Sequence, residues 1–134
     1  MGCDEVIVLD THALLWFTAD DPLLSNEIKD LLEVDARKVF VPSICLWEIV
    51  MLAQKGRLDI GEESPEAFTR SLFSRSNFKE VPLNFEIAIL SRTLAFNHND
   101  PADRFIAATA KYLGMPLVTV DPHLTSLSWL KTIS

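Results

Sequence analysis

Short apolar runs alternate along this chain with stretches whose apolar residues recur every three or four positions. The runs predict buried strands and the recurring patterns predict helices. The predicted strands are residues 5–10, 38–41, 79–83 and 117–120, with the tail 128–133 as a candidate fifth strand at an edge. The predicted helices are residues 11–18, 26–33, 44–55, 65–75, 85–96 and 101–113. This order predicts an α/β fold, a three-layer α/β/α sandwich with a short parallel sheet of four to five strands.

Residues at the ends of the helical patterns support these boundaries. Ser25, Ser43 and Asn84 each precede a helical pattern, where a short polar side chain can accept a free backbone N–H group. Gly56 and Gly114 follow two of the patterns, and glycine commonly ends a helix. No repeat, linker or low-complexity tract interrupts the alternation, so the chain is predicted to be a single domain.

Composition narrows the class of protein. The hydrophobic content is 49% and the mean hydropathy is +0.19, which fit a sheet covered on both faces and one domain over residues 1–134. No apolar stretch reaches the roughly 18 residues of a membrane span, and the N-terminus lacks the basic region of a secretory signal. We therefore expect a cytoplasmic protein with no membrane contact, and Cys3 and Cys45 as free thiols.

The net charge of −7 argues against a protein that coats nucleic acid, because such a protein would be basic. It does not argue against an enzyme that binds phosphate through metal ions. An acidic surface also favours a basic partner.

Four carboxylates adjoin or interrupt apolar segments that are predicted to be buried. Asp10 and Asp121 each end a predicted strand, Asp103 opens an apolar helical run, and Glu48 is the only polar residue in the range 44–53. Functional groups of parallel sheets gather beyond the carboxyl ends of the strands, so all four acids can face one edge. A buried carboxylate is costly unless it is paired or bound to a metal. The four acids therefore predict one shared cation site.

Mg²⁺ or Mn²⁺ is the cation that such a set of oxygen ligands fits. An ion of this kind can activate water and polarise a phosphoryl oxygen, so the acids predict hydrolysis of phosphodiester bonds. Thr119, two residues before Asp121, is expected on the same face, with its hydroxyl available to a carboxylate. Asp100 lies three residues before Asp103 and is expected to share its side of the helix.

Each acid also has a simpler interpretation. Asp10 could be only a helix N-cap, and Glu48 could form an ordinary ion pair with Arg92, Arg104 or Lys55. Asp121 before a proline could form a turn, and Asp103 could complement a helix dipole. Their joint placement at corresponding ends of elements favours the shared site. The three histidines, His12, His98 and His123, lack the spacing of metal ligands and are predicted to be surface or packing residues.

Four ordered motifs resemble those of the PIN domain family, and most closely those of VapC-like toxins of toxin–antitoxin pairs. The motifs are residues 8–12, 42–49, 100–108 and 117–121. The resemblance covers nearly the whole chain. It implies a three-layer PIN fold and a ribonuclease that depends on Mg²⁺ or Mn²⁺ and cleaves within RNA.

The resemblance also implies roles and partners. It assigns catalysis and metal binding to the same four acids: Asp10, Glu48, Asp103 and Asp121. The supporting residues are Thr11, Asp100 and Thr119. It further implies a homodimer and a small antitoxin that covers the active site. The turn over residues 121–124 departs from the family's usual aspartate followed by a charged pair and phenylalanine.

Several alternatives stay open at this point. The protein could be a PIN-fold nuclease of RNA processing or decay without an antitoxin, a binding subunit that kept the fold without activity, or a receiver-like domain that accepts phosphate on aspartate. The receiver is opposed by the single acid that ends the first strand. If an antitoxin exists, a basic, partly helical segment would suit the acidic surface and a predicted groove lined by Ile44, Trp47 and Met51.

Overall fold

The computed structural model describes residues 6–134, and its centre is a sheet of five short parallel strands. The strands are β1 (Ile7–Leu9), β2 (Val39–Pro42), β3 (Lys79–Val81), β4 (Leu117–Val118) and β5 (Thr132–Ile133). Their order across the sheet is β3-β2-β1-β4-β5, and every neighbouring pair is parallel. The predicted parallel sheet is confirmed, including the edge strand formed by the tail.

Seven α-helices are present within the described residues. They are α1 (Thr11–Thr18), α2 (Asn26–Val34), α3 (Ser43–Gln54), α4 (Pro65–Ser76), α5 (Phe85–Thr93), α6 (Pro101–Leu113) and α7 (Pro122–Thr125). The chain adds strands first on one side of β1 and later on the other. Because parallel crossovers are right-handed, this reversal puts helices on both faces of the sheet. The predicted three-layer α/β fold is confirmed.

The central strand carries the middle of the core. Ile7, Val8 and Leu9 are each 1% exposed or less, and Ile106 and Ala107 of α6 belong to the same apolar cluster. A strand covered on both faces needs apolar side chains at consecutive positions, which explains the unbroken run in β1. β1 is therefore packed on both faces, and Asp10 follows it directly.

Predicted helix starts are confirmed where a polar side chain accepts a backbone N–H group. Ser25 caps α2 through the N–H of Ile28 at 3.2 Å, and Asn84 caps α5 through the N–H of Ile87 at 2.8 Å. The cap predicted at Ser43 is wrong, because α3 begins at Ser43 itself.

The Ser43 hydroxyl has a different role. It lies 2.6 Å from Glu80 Oε2 and 3.1 Å from the carbonyl oxygen of Val81. Pro42 precedes it as the last residue of β2, where its fixed backbone angle is compatible with both the strand and the helix start. Ser43 thus ties the start of α3 to β3.

The helix predicted to reach Phe96 ends earlier, at Thr93. Leu94 is extended, which turns the chain so that the Phe96 ring meets Trp129 edge to face at 5.3 Å. The indole N–H of Trp129 donates to the carbonyl oxygen of Ala95 at 2.7 Å. This contact between the segment after α5 and the tail outweighs local helix propensity, so the predicted end of the helix at Phe96 was wrong.

The predicted free thiol of Cys3 and the predicted start of the first strand concern residues that the structure does not describe. Cys3 and the Glu5 end of the first predicted strand lie outside the described residues, whereas Cys45 is a free, buried thiol. Within residues 6–134, no helix combines the length and the hydrophobicity that crossing a membrane would require.

Candidate active site

Asp10 occupies the centre of the edge at which the parallel strands end. It follows β1 directly and is the N-cap of α1, where its Oδ1 accepts the backbone N–H of Ala13 at 2.8 Å. The residue is 7% exposed. Burial raises the pKa of the Asp10 carboxyl, and hydrogen bonds from Thr119 and Ala13 offset only part of that rise. Asp10 is therefore a helix N-cap, as one interpretation of the sequence expected. The bond to Ala13 uses only Oδ1, and Oδ2 takes no part in it.

Glu48 is held by α1. It lies in the second turn of α3, and its Oε1 accepts a short hydrogen bond from the hydroxyl of Thr11, a residue only 2% exposed. The alternative ion pair with Arg104 does not form. That guanidinium donates instead to the carbonyl oxygens of Ser91 at 2.9 Å and His98 at 3.2 Å. Thr11 therefore supports Glu48 directly.

Thr119 connects two of the predicted acids. It is 1% exposed, its hydroxyl lies near the Asp10 carboxylate and lowers the pKa of that group, and its Oγ1 accepts the backbone N–H of Asp121 at 3.1 Å. Asp121 in turn is the N-cap of α7, since its Oδ1 accepts the N–H of His123 at 2.9 Å. The predicted turn after β4 is in fact this short helix. Thr119 links the end of β4 to the end of β1.

Asp103 completes the group from α6. Asp100 is the N-cap of that helix, and its Oδ1 accepts the N–H groups of Ala102 at 3.0 Å and Asp103 at 3.4 Å. Burial raises the pKa of the Asp103 carboxyl to about 7, and the charges of four further acids add to the rise: Asp100, Asp121, Glu48 and Asp10. The fold thus brings five acids within electrostatic reach of one another.

Two histidines at the same edge were not expected from the sequence. His98 Nε2 lies 3.6 Å from Asp103 Oδ2, and His123 Nδ1 lies 3.4 Å from Asp121 Oδ1. The two imidazole rings are 4.4 Å apart between centroids and tilted by 56°. Within residues 6–134, the ligand atoms of His98, Asp103 and His123 are the one group of three metal-type side chains that all lie within 4.8 Å of one another.

Both histidines were predicted to be surface or packing residues, and both are part of the site's surroundings. They approach each other only because α6 and α7 begin at the same edge of the sheet. A signal was present in the sequence. His98 precedes Asp100 by two residues and His123 follows Asp121 by two, and both acids are helix N-caps.

The donor set fits a hard divalent cation. Carboxylate oxygens dominate it, and Mg²⁺ takes oxygen ligands while keeping several waters, so the acids need not form a closed cage. Burial, and then the charges of the neighbouring acids, raise the pKa of the Asp103 carboxyl, and a bound cation would offset both effects. Arg104 forms no ion pair with these acids, because its guanidinium donates to carbonyl oxygens and lies 4.4 Å over the Phe96 ring.

Cys45 lies beneath the acids but does not act as a nucleophile. It is fully buried in α3, and its Sγ is 3.6 Å from the carbonyl oxygen of Leu9. Burial raises the pKa of this thiol, and the nearby charges of Asp10, Glu48 and Asp103 add to the rise. A thiol that stays protonated is inert, so Cys45 offers no nucleophile at this edge.

Comparison with known proteins identifies relatives of this arrangement. A family model described as PIN domain matches residues 7–130. Ribonuclease VapC22 of Mycobacterium tuberculosis is 28% identical over 121 residues, which is 90% of each chain. A DNA-bound VapBC from Salmonella typhimurium aligns with a TM-score of 0.70 and 18% identity, over 96% of this chain and 97% of that one. VapBC2 from Rickettsia felis, bound to a promoter DNA fragment, aligns with a TM-score of 0.67 and 15% identity over the same shares.

Proposed function

Because the chain belongs to the PIN domain family, we propose that it is an RNA endonuclease that hydrolyses phosphodiester bonds with Mg²⁺ or Mn²⁺. The observation that carries the proposal is the gathering of the acids where the strands end and the helices begin. Burial raises the pKa of the Asp103 carboxyl to about 7, and the neighbouring negative charges add to the rise. Groups arranged to repel one another in a partly buried site are typical of a centre that binds a cation. The name of the Mycobacterium tuberculosis relative, a ribonuclease, supports RNA as the substrate.

Each acid has a proposed role. Asp10, Glu48 and Asp103 would bind the cation, directly or through water, and Asp121 would complete the site. A divalent cation bound there would stabilise negative charge on a phosphoryl oxygen and favour attack by water. The supporting residues orient these ligands: Thr11 holds Glu48, Thr119 holds Asp10, and Asp100 caps the helix that carries Asp103.

Metal removal tests this proposal. We expect EDTA to abolish cleavage of RNA by the purified protein, and excess Mn²⁺ or Mg²⁺ to restore it, because the acids alone present only negative charge to a phosphodiester. Cleavage is measured on end-labelled total RNA by gel electrophoresis. Circular dichroism in EDTA is the control for folding. Undiminished cleavage in EDTA by the folded protein would contradict the metal-dependent mechanism.

We also propose that the protein forms a homodimer and is inhibited by a small antitoxin in the cytoplasm. The VapBC assemblies among its structural relatives support an antitoxin. Trp47, next to Glu48 on α3, is 55% exposed, while Ile44 and Met51 are half-buried beside it. On α5, Phe85 is 75% exposed, which suits a contact between subunits. Aromatic side chains such as these are enriched in protein–protein interfaces.

Co-expression tests both partners together. The gene is expressed with its adjacent small reading frame, and we expect growth to be rescued and a complex to be purified. Light scattering should give the complex a mass that contains two copies of this chain. Toxicity that the neighbouring frame does not relieve, with no complex, would favour the alternative of an RNA processing or decay nuclease without an antitoxin. Family membership leaves the receiver-like alternative without support.

A further inference from the structure

His98 contains a buried donor that nothing in the structure satisfies. Its Nδ1 accepts the backbone N–H of Asp100 at 3.1 Å. A ring nitrogen that accepts a hydrogen bond carries no proton, so the proton of this imidazole is on Nε2. Within residues 6–134, Nε2 is shielded from solvent and has no hydrogen-bond partner. Buried donors are nearly always paired, so an unpaired one calls for an explanation.

The acceptor that this N–H faces is a carboxylate of the proposed centre. Asp103 Oδ2 lies 3.6 Å from Nε2, just beyond hydrogen-bond distance, and the side chains of His98 and Asp103 are 15% and 16% exposed. The His123 ring packs against His98 at 4.4 Å between centroids. A small rotation of the Asp103 carboxylate would therefore form the bond.

We propose that His98 is a positioning residue, whose Nε2–H donates to Asp103 Oδ2 when a divalent cation draws that carboxylate into place. The inference rests on the proposed function, because it requires Asp103 to bind the cation. Carboxylates that bind metals are themselves commonly hydrogen-bonded, which fixes the oxygen that faces the ion. With Oδ2 held by His98, Oδ1 of Asp103 would be the oxygen left to bind the cation.

The Nδ1 contact argues against Nε2 as a metal ligand. A nitrogen that carries a proton has no lone pair to offer, and moving the proton to Nδ1 would break the hydrogen bond from Asp100. That bond lies at the N-cap of α6, whose first turn carries Asp103. One imidazole thus serves both the start of the helix and the carboxylate beyond it.

Two substitutions separate these two contacts. In His98→Asn, the amide oxygen takes the place of Nδ1 and can still accept from Asp100, but no donor reaches Asp103. In His98→Gln, the amide nitrogen extends one bond farther and can donate at the position of Nε2. The affinity for Mn²⁺ is measured for the purified full chain by electron paramagnetic resonance of the free ion, with thermal melting in EDTA as the measure of folding.

We expect His98→Asn to bind Mn²⁺ about 10- to 100-fold more weakly than the wild type, and His98→Gln to bind close to wild-type strength. Wild-type affinity in His98→Asn would overturn the proposal, as would equal weakening in both variants, which would assign the imidazole to the loop or to the metal itself. A wild-type protein that binds no Mn²⁺ would instead overturn the proposed function and this inference with it. A weakened His98→Asn beside a wild type that binds Mn²⁺ but leaves RNA uncut would support His98 and contradict only the ribonuclease assignment.

Discussion

Replacing Asp10 with asparagine is expected to reduce RNA cleavage by at least about 100-fold while the fold is retained. Asparagine is as good an N-cap as aspartate, so its Oδ1 can keep the bond to the N–H of Ala13. The substitution removes the negative charge but not the start of α1. Loss of activity would then report on the cation site and not on folding.

Two further variants sharpen this experiment. Asp10→Ala removes the cap as well as the charge, and we expect it to be about 1 kcal/mol less stable than Asp10→Asn in urea unfolding, with activity equally reduced. Asp35→Asn is the matched control, because Oδ1 of Asp35 also accepts a backbone N–H, from Arg37 at 3.0 Å, but it precedes β2 at the opposite edge of the sheet. Initial cleavage rates with Mn²⁺ and melting temperatures are compared. A wild-type rate in Asp10→Asn would remove this residue from the mechanism.

Replacing Asp103 with asparagine is expected to have two effects of opposite sign. Cleavage should fall by a similar factor, since a proposed ligand is lost. The metal-free protein should melt roughly 2–5 °C higher at pH 8, because a charge held among other acids is removed; this range allows for the partial exposure of Asp103. A variant that is more stable but less active is typical of a residue that is needed for activity and destabilises the fold.

The raised pKa of Asp103 determines whether its ionisation raises or lowers the stability of the fold as the pH changes. The Asp103 carboxyl has an ordinary pKa of 3.8 in the unfolded chain and a pKa of about 7 in the fold. Below about pH 4 both states hold the proton, so Asp103 costs the fold nothing there. Between about pH 4 and pH 7 the unfolded state ionises first, and stability is lost as the pH rises.

Melting curves in EDTA at pH 4 and pH 8 check this sign for Asp103. The wild type and Asp103→Asn should melt together at pH 4 and separate at pH 8, with the variant the more stable. Added Mn²⁺ should then raise the melting temperature of the wild type more than that of the variant. If Asp103→Asn is less stable than the wild type at pH 8 in EDTA, the acids do not repel one another as inferred.

Local sequence signals were sufficient for most of the fold. The unbroken apolar run of β1 predicted a strand covered on both faces, and Ser25 and Asn84 marked helix starts because capping depends on neighbouring residues alone. The prediction failed where distant contacts decide the conformation. Ser43 bonds to β3 instead of its own helix, and α5 ends early because Trp129 binds the chain beyond it.

The site shows the same division. Its acids were predictable because strand ends and helix starts meet at one edge of a parallel sheet, and a charge there stands out against apolar neighbours. Their assignment as ligands remains a prediction, together with the supporting roles. The bond from Thr11 to Glu48 joins residues 37 positions apart in the sequence. The approach of His98 to Asp103 depends on how the chain enters α6. Side-chain directions of that kind are set by packing, which a single sequence does not encode as a pattern.

Helix capping by the site acids has a consequence for how the centre is assembled. Asp10, Asp100 and Asp121 each use one carboxylate oxygen to begin a helix. Their orientation is thus established as the backbone folds, before any ion arrives. Binding of a cation should therefore fix few further side-chain torsions of these acids. The chain should also fold in the presence of a chelator. Unlike a zinc finger, the framework of this site is expected to form without a bound metal ion.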